Sequence, residues 1–597
     1  MSTPIKTNKL IAKINYEEYE KTYDTFLIAT SEKYLSSGSY VLDTPLLCDN
    51  VLSLCFESGK EFYVLMKKDD GNKAILKKAL LESKDGDTLT ISSVKVSKIS
   101  DNILVQLLLN SLANFSHEAL KFNNLTGHLY CFHPKWIQKG KVGERYATLK
   151  VPCLEFKVSN DMLLIMQVHT FTTKLLRNKM IFKTKKIEEY PKYVFSANNT
   201  LRRMLNSDDG NEYFIMRQVD GIKTEIPFLN IQNKNSFDIC KMGILTNIME
   251  IFNNKLNSIC HLDFVTINNY ISLERTRQIA KENNYVIKKI LESRPIKIVD
   301  EINDEYSLTF CKNIREILEY KYSISATICR RPNKNALNIC IVHNAIYYGG
   351  INDPHSIKRD GYSIQHITLE DFLENADFAI STIIHELIIK SDIIHGKITL
   401  FDWSKLGIQE NISFGLRADE DKNRYFFMDI KADGSFTFKE QILDLFEQNN
   451  YSECVNIFVD NPAACGIIKR ANGNINVISK TDMITIPEIN QLNKELENNN
   501  THLRGKAKRE ELLSSILDIK LYDSEMSKYY FVGAIGEGMR TKIITAANIR
   551  KITPYKNSPL MFDDLLPLMN VTFVRNGNLT VLPFPFKYLR EYIKMVI

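Results

Sequence analysis

Two aspartates and one basic tract are the parts of this 597-residue sequence that could do chemistry. Asp402 closes the run "KITLF" and Asp460 closes the run "VNIFV". Each run reads as a strand, so folding could bring the two acids side by side. A carboxylate pair of that kind offers hard oxygen ligands to Mg²⁺, the ion that organises phosphoryl transfer. An acid at the end of a strand is also the usual residue of a cap or turn. The tract "KLLRNKMIFKTKKIEEYPKYVFSANNTLRR" runs from Lys174 to Arg203 and sets nine basic residues against two acidic ones. Lys174, Arg177, Lys179, Lys183, Lys185, Lys186, Arg202 and Arg203 lie in it among Phe182, Tyr190, Tyr193 and Phe195. Interleaved cations and aromatic rings suit a nucleic-acid backbone and its bases. The plain alternative is a solvated charged face.

These residues need a scaffold of several domains. At 68.9 kDa, with 44% hydrophobic and 25% charged residues, the chain reads as a soluble globular protein with more than one core. No run approaches the roughly 18–20 apolar residues of a membrane helix. The opening "MSTPIKTNKLIAKINYEEYEK" has no apolar core and is not expected to act as a signal peptide. Eleven cysteines lie scattered from Cys48 to Cys465 without a CxxC pair. That usage points to a reducing, cytoplasmic setting, with cysteine as a small apolar residue. The net charge of +6 and pI of about 8.5 are mildly basic and decide little alone.

The expected fold class is α/β and multidomain, with a β-rich N-terminal half. In residues 1–110, "YVLDTPLLCDNVLSLCF" and "DTLTISSVKVSKI" alternate as strands do. Residues 111–235 stay β-rich through "GHLYCF", "YATLKVPCLEFKV" and "MLLIMQVHTFTTKLL". Residues 236–322 read as a helical linker, with "SLERTRQIAKENNYVIKKILESRP" stopped at Pro295. Residues 490–511 read as an exposed helix-loop insertion. From 323 to 395 the pattern is strand–helix: "ALNICIVHN" and "YSIQHIT" are strands. A helix follows, capped by Thr368 and Asp371, with a stripe of Phe372, Ala376, Ala379, Ile383 and Leu387 running to Lys390. From 396 to 597 three strands, "KITLFDW", "ISFGLRA" and "RYFFMDIKA", precede a helix "FKEQILDLFEQ" and a strand "VNIFVDN". Three strands, a helix and a strand describe the start of an RNase H-like fold.

This order of elements resembles the MID–PIWI half of an Argonaute, over roughly residues 323–597. The terminal "LPFPFKYLR" is similar to the family's "PAP-x-x-YA" signature, where the last PIWI helix begins. The resemblance implies a Rossmann-like MID domain at 323–395, an RNase H-like PIWI domain at 396–597 and a PAZ-like or linker role for 111–235. It implies a site for the 5′ phosphate of a guide strand at His355, Lys358, Gln365 and Lys390, with Arg359 or Tyr347 as alternatives to His355. A Mg²⁺ ion at that phosphate is part of the implied pattern. A terminal phosphate carries about −1.5 to −2 charges and needs several charge-assisted donors.

A target-cutting member of the family has an acidic tetrad. Asp402 and Asp460 match its first and third positions, and Glu440 or Glu447 is available for the second. The fourth falls on Arg590, with Glu591 next to it. Arginine stays cationic and cannot ligate Mg²⁺, so the resemblance is to catalytically degenerate prokaryotic Argonautes, those of plasmid and phage defence among them. The implied partners are a short guide DNA or RNA, a complementary target DNA and a separate effector such as a helicase-nuclease, with no membrane. An active Mg²⁺-dependent nuclease and a non-catalytic scaffold subunit are the alternative readings.

Overall fold

The computed structural model describes residues 5–30, 45–48, 50–58, 60–81, 89–115, 117, 120–142, 145–173, 191–195, 201–204, 213–216, 226–268, 270–271, 277–349, 353–357, 359–370, 376–400, 402–418, 423–443, 449–498, 518–519, 527–531, 543–544, 548–569 and 582–597. The chain forms two units. One is Met1–Asn268 with Asp482–Ser514 and Ile535–Ala546; the other is Asn269–Thr481 with Ser515–Ala534 and Ala547–Ile597. Among the described residues, no helix is long and apolar enough to cross a membrane.

The first unit is rich in antiparallel sheet. Its long strands Arg145–Val158 and Leu164–Thr173 pair from Val158↔Leu164 to Lys150↔Thr172. The neighbouring hairpin, Lys121–Leu125 to His128–Phe132, turns through Thr126 and Gly127 at φ of 50° and 85°. A two-residue hairpin turn requires left-handed backbone of this kind. A Cβ on Gly127 would lie 2.5 Å from the Phe56 nitrogen, so only glycine fits. A separate four-stranded sheet is covered by helix Asn72–Leu81, whose Leu76 and Leu80 meet Phe26, Ile28, Leu54, Phe62 and Val64. The polar stretch after Asn490 begins in a helix, Ile489–Glu497, that buries Ile489, Leu492 and Leu496. That part is packed by an apolar stripe rather than exposed.

The second unit contains a four-stranded parallel sheet in the order Thr327–Cys329, Ile296–Asp300, Leu337–Val342, Ser363–Thr368. All six residues of "LNICIV" are buried, as a strand covered on both faces requires. Its one polar residue, Asn338, donates to the Asn333, Ala336 and Ser363 carbonyls. The inner strand Ile296–Asp300 lies within the stretch read as a helical linker. That stretch alternates helices Lys241–Leu256, Arg277–Ser293 and Glu305–Tyr322 with strands Cys260–Ile267 and Ile296–Asp300. The helix Ala376–His395 packs on the edge strand. It runs past Lys390 to His395, and its expected cap at Asp371 lies outside the described residues.

The second sheet of this unit corrects three expectations. The described residues of "KITLFDW" lie in no strand: Gly396 before them takes a left-handed φ of 68°, and Lys397 makes an isolated bridge to Ser435. The first strand of the meander is Ile412–Arg417, followed by Arg424–Ile430 and Phe436–Ile442. Phe438–Ile442, read as helix, is thus the third strand. The run "VNIFVDN" belongs to helix Ser452–Asp460, which buries Cys454, Val455, Ile457 and Phe458. Short apolar runs satisfy either period, and packing decides between them. The next strand, Ala464–Arg470, pairs antiparallel with Ile412–Arg417. It is not the parallel return of a βαβ unit.

The terminal helix Pro585–Val596 packs on the first two strands of the meander. Phe586 meets Phe414 edge-on at 5.3 Å, and Tyr592 stacks on Phe438 at 3.9 Å. Tyr588 is fully buried and donates to Asp392 Oδ2 at 2.8 Å. Asp392 also accepts from Arg294 Nη1 at 2.8 Å and from the Thr399 hydroxyl and amide at 2.6 and 2.8 Å. Burial pushes this carboxyl up from its ordinary range, against the bonds from Thr399 and Arg294 that favour its charge. Removing one partner of a buried ion pair costs about 3–5 kcal/mol. Asp392→Ala should therefore lose that much unfolding free energy in a urea titration, and Tyr588→Phe about 1–3 kcal/mol. An Asp392→Ala protein with the wild-type urea midpoint would refute this account.

Candidate anion-binding site

The two aspartates of the expected degenerate tetrad, Asp402 and Asp460, do not stand on strands. Asp402 caps the short turn Trp403–Leu406, where it accepts from the Ser404 amide at 3.1 Å and hydroxyl at 2.6 Å. Asp460 is the exposed last residue of helix Ser452–Asp460. Asp402 thus caps a turn and Asp460 ends a helix, and neither takes a strand position. Glu440 is ion-paired across the meander to Arg424. Glu447 lies outside the described residues. Arg590 is exposed on the terminal helix, while Glu591 beside it is 4% exposed. Among the described residues no group of three His, Cys, Asp or Glu side chains could hold a metal ion.

The expected phosphate set is assembled in part. Along the edge strand Ser363–Thr368, alternate residues face opposite ways. Ser363 bonds the Leu387 carbonyl at 2.7 Å, and Gln365 Oε1 accepts from Lys390 Nζ at 2.7 Å. These two face the helix Ala376–His395. Lys390 Nζ also donates to the Ile364 carbonyl at 2.6 Å. His366 faces the other way, its ring 5.2 Å from that of His355. His355 itself pairs with Asp353 at 2.6 Å. Gln365 and Lys390 therefore meet, whereas His355 joins His366 on the opposite side of the strand. Lys358 lies outside the described residues. Of the alternatives, Arg359 pairs with Glu301 at 2.9 Å, and Tyr347 stacks on His343 at 3.8 Å.

Lys587, Lys594, Glu386 and Glu591, none of them expected at the phosphate site, complete the cluster. Lys587 and Lys594 of the terminal helix both reach Glu591 Oε1, at 3.0 and 2.9 Å. Lys587 also lies 3.5 Å from Glu386 Oε1. Burial depresses the Lys390 ammonium, opposed by the negative charges of Glu591 and Glu386 and aided by Lys594 and Lys587. Burial works against ionisation of Glu591, but Lys587 and Lys594 outweigh it and hold its carboxyl below the usual range. His366 is pushed down to about 4, first by burial and then by His355, Lys390 and Arg359. Burial is the main reason this imidazole stays neutral near pH 7, and the neighbouring cations add to it. The spacing Lys587, Glu591, Lys594 is that of one helix face, a signal present in the sequence. The two carboxylates here already face ammonium groups, so the residues present do not fit a protein-held Mg²⁺.

Of the basic tract, residues 174–190 lie outside the described residues. They include Lys174, Arg177, Lys179, Lys183, Lys185 and Lys186. Arg202 and Arg203 sit on the short strand Leu201–Arg203. Arg203 is 5% exposed and donates to the Tyr193 hydroxyl at 3.2 Å, with its guanidinium over that ring. It is turned into its own sheet and is not presented to a nucleic-acid backbone. Arg202 is half-buried and donates to the Arg203 carbonyl.

No protein-family model and no curated sequence matches this chain. Among solved structures it is similar to a crystal structure of Drosophila Piwi, at 10% identity and a TM-score of 0.39, over 100% of this chain and 97% of that one.

A second charged cluster lies in the first unit. Glu155 Oε1 meets His128 Nδ1 at 2.8 Å and the Tyr130 hydroxyl at 2.9 Å, while Oε2 meets His169 Nε2 at 2.8 Å. Burial works against ionisation, but the two histidines outweigh it and hold the carboxyl far below its ordinary range. The folded pKa is the lower one, so this stability is complete above the unfolded glutamate value of about 4.3 and is lost as pH falls below it. Glu155→Gln should cost about 1–3 kcal/mol at pH 7, the loss of hydrogen bonds to a charged group, and the gap to wild type should narrow at pH 3. Urea titrations at both pH values check it, and a gap that widens on acidification would contradict it.

Proposed function

We propose that this chain binds a short nucleic-acid strand by its 5′ phosphate and uses it as a guide to pair with a complementary strand. The observation that carries this reading is the meeting of Lys390 with Gln365, with Lys587 and Lys594 bearing on the same ammonium. Three ammonium groups and an amide in one region suit a terminal phosphate, since phosphate takes charge-assisted donors from several directions. Lysine supplies compact, strongly hydrated charge and tolerates burial through a lowered pKa. The resemblance of the terminal "LPFPFKYLR" to an Argonaute signature supports the same reading. The guide chemistry, DNA or RNA, follows from the strand that co-purifies.

The proposal includes binding without cutting. Arg590, Asp402 at a turn cap and Asp460 at a helix end support it, because two-metal cleavage needs acids gathered at one point. Destruction of a paired target would then fall to a separate effector, such as a helicase-nuclease of a defence system against plasmids or phage.

A charge-assisted hydrogen bond contributes about 1.5–3 kcal/mol, or roughly ten- to a hundredfold in affinity. Lys390→Ala should weaken a 5′-phosphorylated single strand by that factor and leave a 5′-hydroxyl strand nearly unchanged, as read by fluorescence anisotropy. Equal affinity of the wild-type protein for both strands would remove the reading. With a complementary target and Mg²⁺ or Mn²⁺, the loaded protein should leave the target intact. Cleavage that disappears in Asp402→Ala would establish a nuclease instead.

A further inference from the structure

Glu591 stands where an incoming anion would have to stand. One oxygen of its carboxylate, Oε1, takes both the Lys587 and the Lys594 ammonium groups, at 3.0 and 2.9 Å. A phosphate oxygen would use the same two donors. The residue is 4% exposed, and a buried carboxylate is costly unless paired. An apolar side chain would fill that helix position without the cost. The Lys594 side chain is 70% exposed, so the cluster opens to solvent on that side. Its Lys587 arm is further occupied by Glu386. The charges are Lys390, Lys587 and Lys594 against Glu386 and Glu591, three against two. A net charge of one is too little for a terminal phosphate of about −1.5 to −2. With Glu591 displaced, the remaining balance is three against one.

From this geometry we infer that Glu591 is a built-in competitor for the anion site: its carboxylate holds Lys587 and Lys594 in the unliganded protein and must swing away for a phosphate monoester to enter. The inference rests on the 5′-phosphate reading and adds a regulatory element to it. The competitor keeps the site from retaining weakly bound free phosphate and raises the demand on the ligand. A strand that also binds along its length can meet that demand, because its other contacts supply the difference. Internal phosphodiesters, with one charge each, displace the carboxylate less readily than a terminal phosphate does.

The test uses the full chain and fluorescent single-stranded oligonucleotides of one sequence, with a 5′ phosphate or a 5′ hydroxyl. Glu591→Gln keeps the shape and removes the charge. It should tighten the phosphorylated strand about tenfold, equivalent to about 1.4 kcal/mol, and leave the hydroxyl strand unchanged. Free inorganic phosphate should compete measurably with the phosphorylated strand on Glu591→Gln and not on the wild type. If Glu591→Gln does not fold, Glu386→Gln carries the test: freeing Lys587 should tighten the phosphorylated strand several-fold. A preference for the 5′ phosphate that is lost in Lys390→Ala but unchanged or weakened in Glu591→Gln overturns the competitor and leaves the phosphate site standing. No preference in any of these proteins overturns the phosphate site itself.

Discussion

One buried carboxylate fixes the geometry on which the anion cluster depends. Asp392 is 0% exposed and gathers bonds from Arg294, Thr399 and Tyr588. It lies near the end of helix Ala376–His395, two residues after Lys390, so the anchor fixes that helix beside the lysine. Tyr588 lies between Lys587 and Glu591 on the terminal helix. The two helices that supply the cluster therefore share one anchor. Long lysine side chains have ample freedom of their own. Holding their two helices at one point removes the larger uncertainty and leaves the ammonium groups close enough to act on one ligand. Severing Tyr588 from Asp392 would act on the site without touching any residue of it.

Part of the parallel sheet was legible: burial on both faces writes "LNICIV" as a continuous apolar run, whereas the inner strand Ile296–Asp300 fell within the stretch read as a helical linker. "LNICIV" and "SIQHIT" can be read directly, and the helix after them has an unmistakable stripe. What could not be read were the short runs. "VNIFV" satisfies strand and helix alike, and it becomes helix because Cys454, Val455 and Phe458 fall on one face against Tyr425 and Phe427. "KITLF" looks like a strand, but the left-handed Gly396 and the cap at Asp402 leave it no length to pair. The strand readings put Asp402, a turn cap, and Asp460, the last residue of a helix, on strands, and with them the expected metal pair. Gln365 and Lys390 were found through a resemblance, and they do meet. Lys587 and Glu591 were visible as a helix face, but their link to Lys390 is tertiary and has no local signal.

The same physics separates three of the buried acids, Asp392, Glu155 and Glu591. Asp392 has its donors packed around it and no exposure, so any exchange would leave the Arg294 guanidinium unpaired in the interior. Glu155 is pinned by histidines on the strands to either side of its own, and moving it would break its bonds with both imidazoles and with the buried Tyr130 hydroxyl. Glu591 differs in two respects. Its partners lie three and four residues away on its own helix, so they can follow it or let it go without disturbing another element. One of them, Lys594, is largely in water and loses little when its partner leaves. A carboxylate can serve as a placeholder only if its departure costs less than the ligand returns. In Asp392 and Glu155 that condition fails, because buried donors fixed on other elements would lose their partner. In Glu591 the ligand replaces the carboxylate with a group of the same sign and more acceptors, so the lysines stay satisfied throughout.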